Sequence, residues 1–214
     1  ELQAAGHVFV TDHSDTEVLI HGWREWGRGL FPRLDGMFAV AIWDSQSAWL
    51  TTTRDRFGEK PLCAYCKAGA EAFGSSIAGV SRLKTTMGLE GPLHGHLVQS
   101  VAAASWLRYG WSTSSPLGRV SQTPRGFSSQ SPADSDSKRV GFKNHWDMSL
   151  RRTPRNAFIH VDEVDRLLEA AVRSRLEADV PLAVFLSGGL DSALIASHTR
   201  AASSGCTAFT VRLP

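Results

Sequence analysis

The last third of the chain combines one amphipathic stretch with two apolar ones. Between residues 161 and 176, apolar residues recur at helical intervals on one face, which predicts an amphipathic helix. The apolar run 180–186 predicts a buried strand of a parallel sheet, and residues 207–212 predict a second strand. A helix is expected to begin at Ser192, between these two strands. This order of elements is typical of α/β proteins.

The first third of the chain predicts a helix followed by a hairpin. Ser14 and Glu17 have the spacing of a capping box, which predicts a helix with Ser14 as its N-cap. Two mostly apolar segments joined by a polar turn predict a hairpin over residues 34–53. The charged segment 54–61 predicts a loop, and residues 7–10 are compatible with a short strand.

Composition narrows the function classes. A content of 42% apolar and 21% charged residues is ordinary for a soluble globular protein, and a net charge of +2 gives no case for a nucleic-acid or membrane partner. Three cysteines, an odd number, argue against a disulfide framework and favour a reducing compartment, so we expect a cytoplasmic protein. Cys63 and Cys66 have the spacing of a metal or redox pair, but no second pair accompanies them, so the support for a metal is weak.

Residues 187–192 carry the strongest chemical signal. The sequence Ser-Gly-Gly-Leu-Asp-Ser stands between the predicted strand and helix, where glycines let the backbone approach a ligand and first-turn N–H groups face an anion. It does not have the Gly-x-x-x-x-Gly-Lys-Ser/Thr pattern of a Walker loop. The alternative interpretation is an ordinary Ser/Gly turn with Asp191 near a helix start, where carboxylates are common.

Four motifs occur in one order along the chain. Residues 14–18 (Ser-Asp-Thr-Glu-Val), 35–44 and 54–62, followed by the loop at 187–192, together resemble the glutamine-hydrolysing asparagine synthetase family. In that family the first three motifs belong to the later part of a glutaminase domain. The loop is the signature of the synthetase domain, where it holds pyrophosphate.

The resemblance implies an α/β fold whose N-terminal part is α+β. Residues 1–84 would be the C-terminal part of an N-terminal-nucleophile glutaminase domain with αββα architecture. Residues 161–214 would be the start of a parallel-sheet, adenine-nucleotide α-hydrolase-like synthetase domain. Residues 85–160 would connect the two, with a flexible polar loop near 128–140.

The resemblance also implies a pair of coupled reactions. One domain releases ammonia from glutamine through an N-terminal cysteine, and the other activates the aspartate side chain with ATP and releases pyrophosphate before ammonia attacks the adenylate. ATP and Mg²⁺ are the implied cofactors, with Asp191 as the metal ligand. Asp15 would hold the α-amino group of glutamine. ATP binding is assigned to Leu186, Ser187, Gly188, Gly189, Leu190, Asp191, Ser192 and Val211.

Several of these residues have a structural alternative. Asp15 is also a first-turn carboxylate that faces a helix dipole. Val211 would otherwise be one more buried strand residue. For Arg54, Asp55 and Arg56 we favour a structural role, as a surface ion-pair loop of small energetic value, over a role in contacts between domains.

The chain begins at Glu1, and we therefore expect an internal fragment of a longer protein. No catalytic residue is assigned because the nucleophilic cysteine is not in this chain, so we expect the fragment alone to be inactive. The expected partners are glutamine and aspartate or another carboxylate acceptor, with a homodimer as a candidate assembly of the full-length protein. Two alternatives stay open: a related amide- or lactam-forming synthetase with another acceptor, and a non-catalytic remnant that acts in protein–protein contact.

Overall fold

The computed structural model divides the chain into two units, Glu1–Ser149 and Leu150–Pro214. Each unit is described by itself. The residues that the structure describes are 1–12, 14–67, 70–89, 104, 107–108, 120–132, 140–146, 160–203 and 205–211.

Within the described residues of the first unit, two helices, a 3₁₀ helix and seven strands have defined bounds, and residues 104 and 107–108 are also helical. Helix α1 spans Asp15–Trp26, the 3₁₀ helix Gly27–Arg33 and helix α2 Ile77–Thr86. The strands are β1 Ala39–Asp44, β2 Trp49–Arg54, β3 Cys63–Lys67, β4 Ala70–Gly74, β5 Ser121–Gln122, β6 Phe127–Pro132 and β7 Val140–Asn144. They form a four-stranded sheet in the order β1-β2-β6-β7 and a three-stranded sheet in the order β4-β3-β5.

Helix α1 begins as predicted, but the segment before it does not form the expected strand. The hydroxyl of Ser14 accepts the N–H of Glu17 at 3.4 Å, which confirms Ser14 as the N-cap. The strand compatible with residues 7–10 is not formed. The N–H groups of Val10 and Thr11 donate instead to the Glu17 carboxylate, at 2.7 and 2.8 Å, so this segment is held on the helix rather than in a sheet.

The predicted hairpin is confirmed, and its second strand also pairs with a strand that was not predicted from the sequence. Strands β1 and β2 pair antiparallel, from Ala39 opposite Arg54 to Asp44 opposite Trp49. The flexible polar loop expected near 128–140 starts as strand β6, which pairs with β2. Its serines are accommodated because Ser129 shares a hydrogen bond with Thr52, Oγ to Oγ1, at 3.0 Å. Residues 133–139 lie outside the described residues.

A small core lies under the three-stranded sheet. Helix α2 packs on β3 and β4, and the side chain of Lys84 is buried with its Nζ 5.2 Å from the centroid of the Tyr65 ring. The ammonium therefore faces the electron-rich face of an aromatic ring. The buried cluster consists of Cys63, Tyr65, Ala72, Val80 and Val120.

The second unit is a helix–strand–helix–strand unit. Helix α3 spans Val161–Arg173, strand β8 Ala183–Phe185, helix α4 Leu190–Ala202 and strand β9 Thr207–Phe209. Strands β8 and β9 pair in parallel, which confirms the predicted parallel arrangement. The two helices are in contact through His198 Nε2 and Asp165 Oδ1, which lie 3.2 Å apart.

The strand predicted over 180–186 is shorter than its apolar run and is not buried. Strand β8 has three residues, and Phe185 keeps 85% of its surface exposed. The physical reason is that a two-stranded sheet has too few neighbours to cover both of its faces. Within the described part of the chain, no helix combines the length and the apolar character that a membrane crossing requires.

Candidate functional site

The loop between β8 and α4 makes a tight reversal at the carboxyl end of a strand. Leu186 closes the strand by donating its N–H to Phe209 O at 2.7 Å. Helix α4 then begins at Leu190. Gly188 stands between them with φ +82°, a left-handed conformation that side-chain-bearing residues disfavour. The glycine is therefore required by the backbone of the turn.

Two hydroxyls lie side by side on this loop. The Oγ atoms of Ser187 and Ser192 are 3.0 Å apart, and the N–H of Ser187 donates to Ser192 Oγ at 3.3 Å. Ser192 Oγ donates in turn to Gly189 O at 3.0 Å. These bonds fix the first turn of α4 against the end of β8.

The N-terminus of α4 is left open. Its N-cap residue is Gly189, which has no side chain, and no side-chain cap is made. The first helical hydrogen bond runs from Ala193 N–H to Gly189 O at 3.1 Å, so the amides of Leu190, Asp191 and Ser192 have no partner within the helix. These amides and the helix dipole favour an anion at this position.

The parallel pairing brings the predicted residues of this unit to one edge. Because Phe185 pairs with Phe209, the segments that follow β8 and β9 leave the sheet at the same end. Leu186 is half-buried there. Val211 is 83% exposed and lies beyond β9, so the alternative of a buried strand residue does not hold for it.

Asp15 lies in the other unit, at the first position of α1, and lines a cavity of about 620 Å³. The same cavity is lined by Asp35, Lys60 and Ser75. Its lining therefore includes acidic residues and a lysine, which are residue types that suit a zwitterionic amino acid. Its apolar lining includes Leu19, Leu34, Met37 and Phe38.

A buried carboxylate organises the loop that supplies Lys60. Asp55 is 1% exposed and accepts N–H groups from Glu59 at 2.8 Å and from Lys60 at 2.9 Å. It also accepts from Phe57 at 3.1 Å and from Phe38 at 3.3 Å. Burial by itself would raise the pKa of Asp55, but the donors from Lys60, Glu59 and Phe38 outweigh it and hold that pKa below its ordinary value.

The guanidinium of Arg54 also holds the loop, because it donates hydrogen bonds to backbone carbonyls. Its Nε donates to Lys60 O at 2.6 Å and its NH1 to Thr123 O at 3.2 Å. Gly58 has φ +69°, and a Cβ there would come within 2.9 Å of the Arg54 Cζ, so glycine is required for this packing. These contacts fit a structural role for Arg54 and Asp55, but not the expected surface ion-pair loop, because Asp55 is buried and accepts backbone N–H groups.

Sequence reasoning did not single out the other polar residues of the Asp15 cavity. Asp35, Lys60 and Ser75 come from three different segments, and only the fold brings them together with Asp15. The Asp35-Gly36 turn and the charged loop were visible in the sequence as turns. Neither signal indicates a shared cavity.

Known proteins match both units. A family model described as "Glutamine amidotransferase domain" matches residues 1–106, and one described as "Asparagine synthase" matches residues 163–214. The asparagine synthetase [glutamine-hydrolyzing] 3 of Bacillus subtilis is 33% identical over 204 residues, which is 91% of this chain and 30% of that protein. A putative asparagine synthetase [glutamine-hydrolyzing] of Mycobacterium tuberculosis is 30% identical over 201 residues, 90% of this chain and 29% of that protein.

A relative with a different name also matches. The amidase chyE of Penicillium rubens is 28% identical over 187 residues, 86% of this chain and 26% of that protein. The chain thus spans about 30% of the length of the curated relatives it matches. Both family models occur in the expected order, and the asparagine synthetases align along nine-tenths of the sequence. The chain belongs to the glutamine-hydrolysing asparagine synthetase family.

Proposed function

We propose that this chain supplies part of the glutamine site and part of the ATP site of an ATP-dependent amidotransferase that forms a carbon–nitrogen bond with glutamine-derived ammonia. The observation that carries the proposal is the open N-terminus of α4, where unpaired amides follow a strand in a parallel pair. Such an arrangement binds phosphate groups without further side chains.

The residues at this loop fit a pyrophosphate group. Gly188 has no atom within 4 Å of the position a Cβ would take, so the turn leaves open space for a ligand. The hydroxyls of Ser187 and Ser192 are exposed or half-exposed and already lie together. Asp191 is exposed in the first turn of α4.

Asp191 would hold Mg²⁺, which would supply positive charge to the phosphate oxygens of the departing pyrophosphate. Among the described residues, no three His, Cys, Asp or Glu side chains gather at a metal-binding spacing. A single carboxylate suits Mg²⁺, which takes its remaining ligands from water and phosphate. The amides of α4 and the two hydroxyls would stabilise the charge that grows on the leaving group.

Asp15 is proposed to hold the α-amino group of glutamine. Asp15 is the first residue of helix α1 and lines the 620 Å³ cavity. Lys60 lines the same cavity, and its positive charge suits an α-carboxylate. The fixed loop around Asp55 supports this assignment, because it holds the backbone of both Lys60 and Phe38 at the cavity.

Calorimetric titration of the chain with pyrophosphate, with and without Mg²⁺, tests the nucleotide half of the proposal. We expect Mg²⁺-dependent binding that Asp191→Ala weakens roughly tenfold, the effect of losing one charge-assisted contact. The matched control is Asp162→Ala, which removes a first-turn carboxylate from the other helix of the same unit, α3. Equal heats for wild type and Asp191→Ala would remove Asp191 from the site.

Saturation-transfer NMR with glutamine tests the other half. Asp15→Asn is expected to abolish the transfer, and Asp35→Asn, in the same cavity, is expected to leave it. If Asp35→Asn abolishes the signal while Asp15→Asn does not, the assignment of the α-amino group to Asp15 is wrong.

The acceptor is proposed to be the side-chain carboxylate of aspartate, because the relatives at 30% identity or more are named asparagine synthetases. One observation favours a second candidate: a relative named as an amidase matches 86% of the chain. Comparing aspartate with other carboxylates as ATP-dependent acceptors of ammonia, in the protein that contains this chain, distinguishes the two.

A further inference from the structure

Four side chains form one continuous row between residues 7–12 and helix α1. His7 Nε2 lies 3.0 Å from Glu25 Oε2, and His7 Nδ1 lies 3.1 Å from His21 Nδ1. His21 Nε2 lies 3.4 Å from Glu17 Oε1. The row is thus carboxylate, imidazole, imidazole, carboxylate. Both histidines are largely shielded from solvent, with 17% and 13% of their side-chain surfaces exposed.

The geometry restricts how many protons the two rings carry. A hydrogen bond between two Nδ1 atoms needs one of them to donate and the other to accept, so this contact holds one proton. Each Nε2 faces a carboxylate, which only accepts, so each Nε2 carries a proton. If all three contacts are hydrogen bonds, the four ring nitrogens must carry three protons. Two neutral histidines carry two, so this geometry requires one more.

We infer that His7 and His21 bind one extra proton as a pair, and that this shared proton fastens the segment 7–12 to helix α1. The positive charge lies between Glu25 and Glu17, both from α1. Within the described residues, these are the ionisable side chains that hydrogen-bond to the two rings. The ring of Phe9 packs against His21 at 4.7 Å between centroids and covers the pair.

The second anchor of the segment depends on the same carboxylate. Glu17 accepts the N–H groups of Val10 and Thr11 and the Thr11 hydroxyl, as well as the contact from His21. The Thr11 hydroxyl, followed by the Val10 and Thr11 amides, lowers the pKa of Glu17 to about 2, so it is ionised whenever the pair is charged. The segment leads into Ser14 and Asp15, which makes it the support of the α1 N-terminus.

The pair makes this support sensitive to pH in both directions. A second extra proton would place N–H against N–H at the central contact and break it. Loss of the extra proton leaves two protons for three hydrogen bonds, so one of the three hydrogen bonds is lost. The segment is therefore held most firmly while the pair carries a single positive charge. His7 and His21 lie outside the residues proposed to bind glutamine or ATP, so failure of that proposal leaves the proton count unaffected.

The direct test is long-range proton–nitrogen NMR on the 214-residue chain with ¹⁵N-labelled histidine. At about pH 7 we expect one unprotonated Nδ1 in total for the pair, on one ring or averaged over both, with the other three nitrogens protonated. Two neutral rings, or two doubly protonated rings, at this pH would overturn the inference.

Two variants of one residue separate a proton switch from simple packing. His7→Asn places an amide near the position of Nδ1, keeps an acceptor for His21 and cannot titrate. His7→Gln reaches toward Glu25 instead and loses the central contact. Amide hydrogen exchange at Val10 and Thr11 reports the segment directly, because both N–H groups donate to Glu17.

In wild type, we expect the protection of these two amides, corrected for intrinsic exchange, to fall roughly tenfold between about pH 7 and pH 5. His7→Asn should keep its protection at both values, and His7→Gln should have lost it at both. His160→Gln, which removes an exposed histidine at the start of α3, is the matched control and should behave as wild type. Identical behaviour of the two His7 variants would contradict the inference, as would a response that EDTA abolishes, because a metal would then join the rings.

Discussion

Helices α1 and α4 begin in opposite ways. At α1, the chain uses its own polar groups: Ser14 caps the helix, and Glu17 ties the preceding segment to the first turn. At α4, the N-cap is Gly189 and the first amides are left without a side-chain partner. The first arrangement contributes to stability, and the second leaves hydrogen-bonding capacity for a ligand.

The same contrast extends to the carboxylates of the two regions. Asp55 and Glu17 are saturated by backbone donors from their own unit. Asp191 is exposed beside an open helix end. A residue of the first kind should affect unfolding when replaced, and a residue of the second kind should affect ligand binding. Each of the following substitutions tests one side of this division.

The largest effect is expected for Asp55→Ala. Four backbone donors would lose their buried acceptor, so we expect the free energy of unfolding of the first unit to fall by about 3 kcal/mol. Urea denaturation followed by tryptophan fluorescence measures it. The control is Asp35→Ala, whose carboxylate is 94% exposed and 3.8 Å from Arg56, and which should cost less than about 1 kcal/mol. Similar losses for the two variants would show that Asp55 does not organise the loop.

Gly188→Ala is expected to affect both stability and binding. Alanine at φ +82° is strained by about 1–2 kcal/mol, although no neighbouring atom opposes the new Cβ. The second unit should unfold at a lower temperature. Mg²⁺–pyrophosphate should bind more weakly, because the backbone of the turn would shift away from its present conformation. Gly205→Ala is the matched control, since that glycine has neither a left-handed φ nor a close neighbour. Unchanged binding in Gly188→Ala would mean that the shape of this turn does not matter to the ligand.

Glu17→Gln should give a smaller loss that depends on pH. The pKa of Glu17 is lowered from 4.5 to about 2, so the part of its stabilising contribution that depends on its own ionisation is complete above about pH 4.5 and disappears as the pH falls toward 2. The melting temperature of wild type should therefore exceed that of the variant at pH 7, and the difference should shrink below pH 4.5. Glu163→Gln, at an exposed ion pair with Arg166, should show little difference at any pH. A difference that grows in acid would reverse the sign and contradict the assignment.

The sequence predicted the parts of this fold that depend on local rules. The N-cap Ser14 and the β1–β2 hairpin follow from residues close together in the chain. The order strand, glycine turn and helix around residues 187–192 was also predicted, but α4 begins at Leu190 and not at the expected Ser192. Strand β6 was missed because its serines have the composition of a linker. Its partner Thr52 is 77 residues away from Ser129, and composition carries no information about such a pairing.

The candidate sites also differ in whether their residues are close together in the sequence. An anion site at residues 187–192 could be proposed from the sequence because a strand, a glycine turn and a helix start are contiguous there. The cavity at Asp15 and the pair His7–His21 could not be, since both depend on segments that only tertiary structure brings together. The length and burial of β8 were also missed, because an apolar run predicts burial only where neighbouring elements cover it.

The smallest change in stability, and the sharpest test of the contrast, is expected for Gly189→Ser. The residue already has the extended backbone of an N-cap, with φ −82° and ψ 161°, and a Cβ would lie an ordinary 3.6 Å from Ser187 Oγ. The new hydroxyl would give α4 the cap that Ser14 gives α1, worth a few tenths of a kcal/mol over glycine. Pyrophosphate should nevertheless bind more weakly, because the cap occupies an amide that the anion needs. Thermal unfolding and calorimetric titration measure the two effects, with Gly205→Ser as the control. A variant that is more stable and binds pyrophosphate as well as wild type would show that the amides of α4 are not where the anion lies.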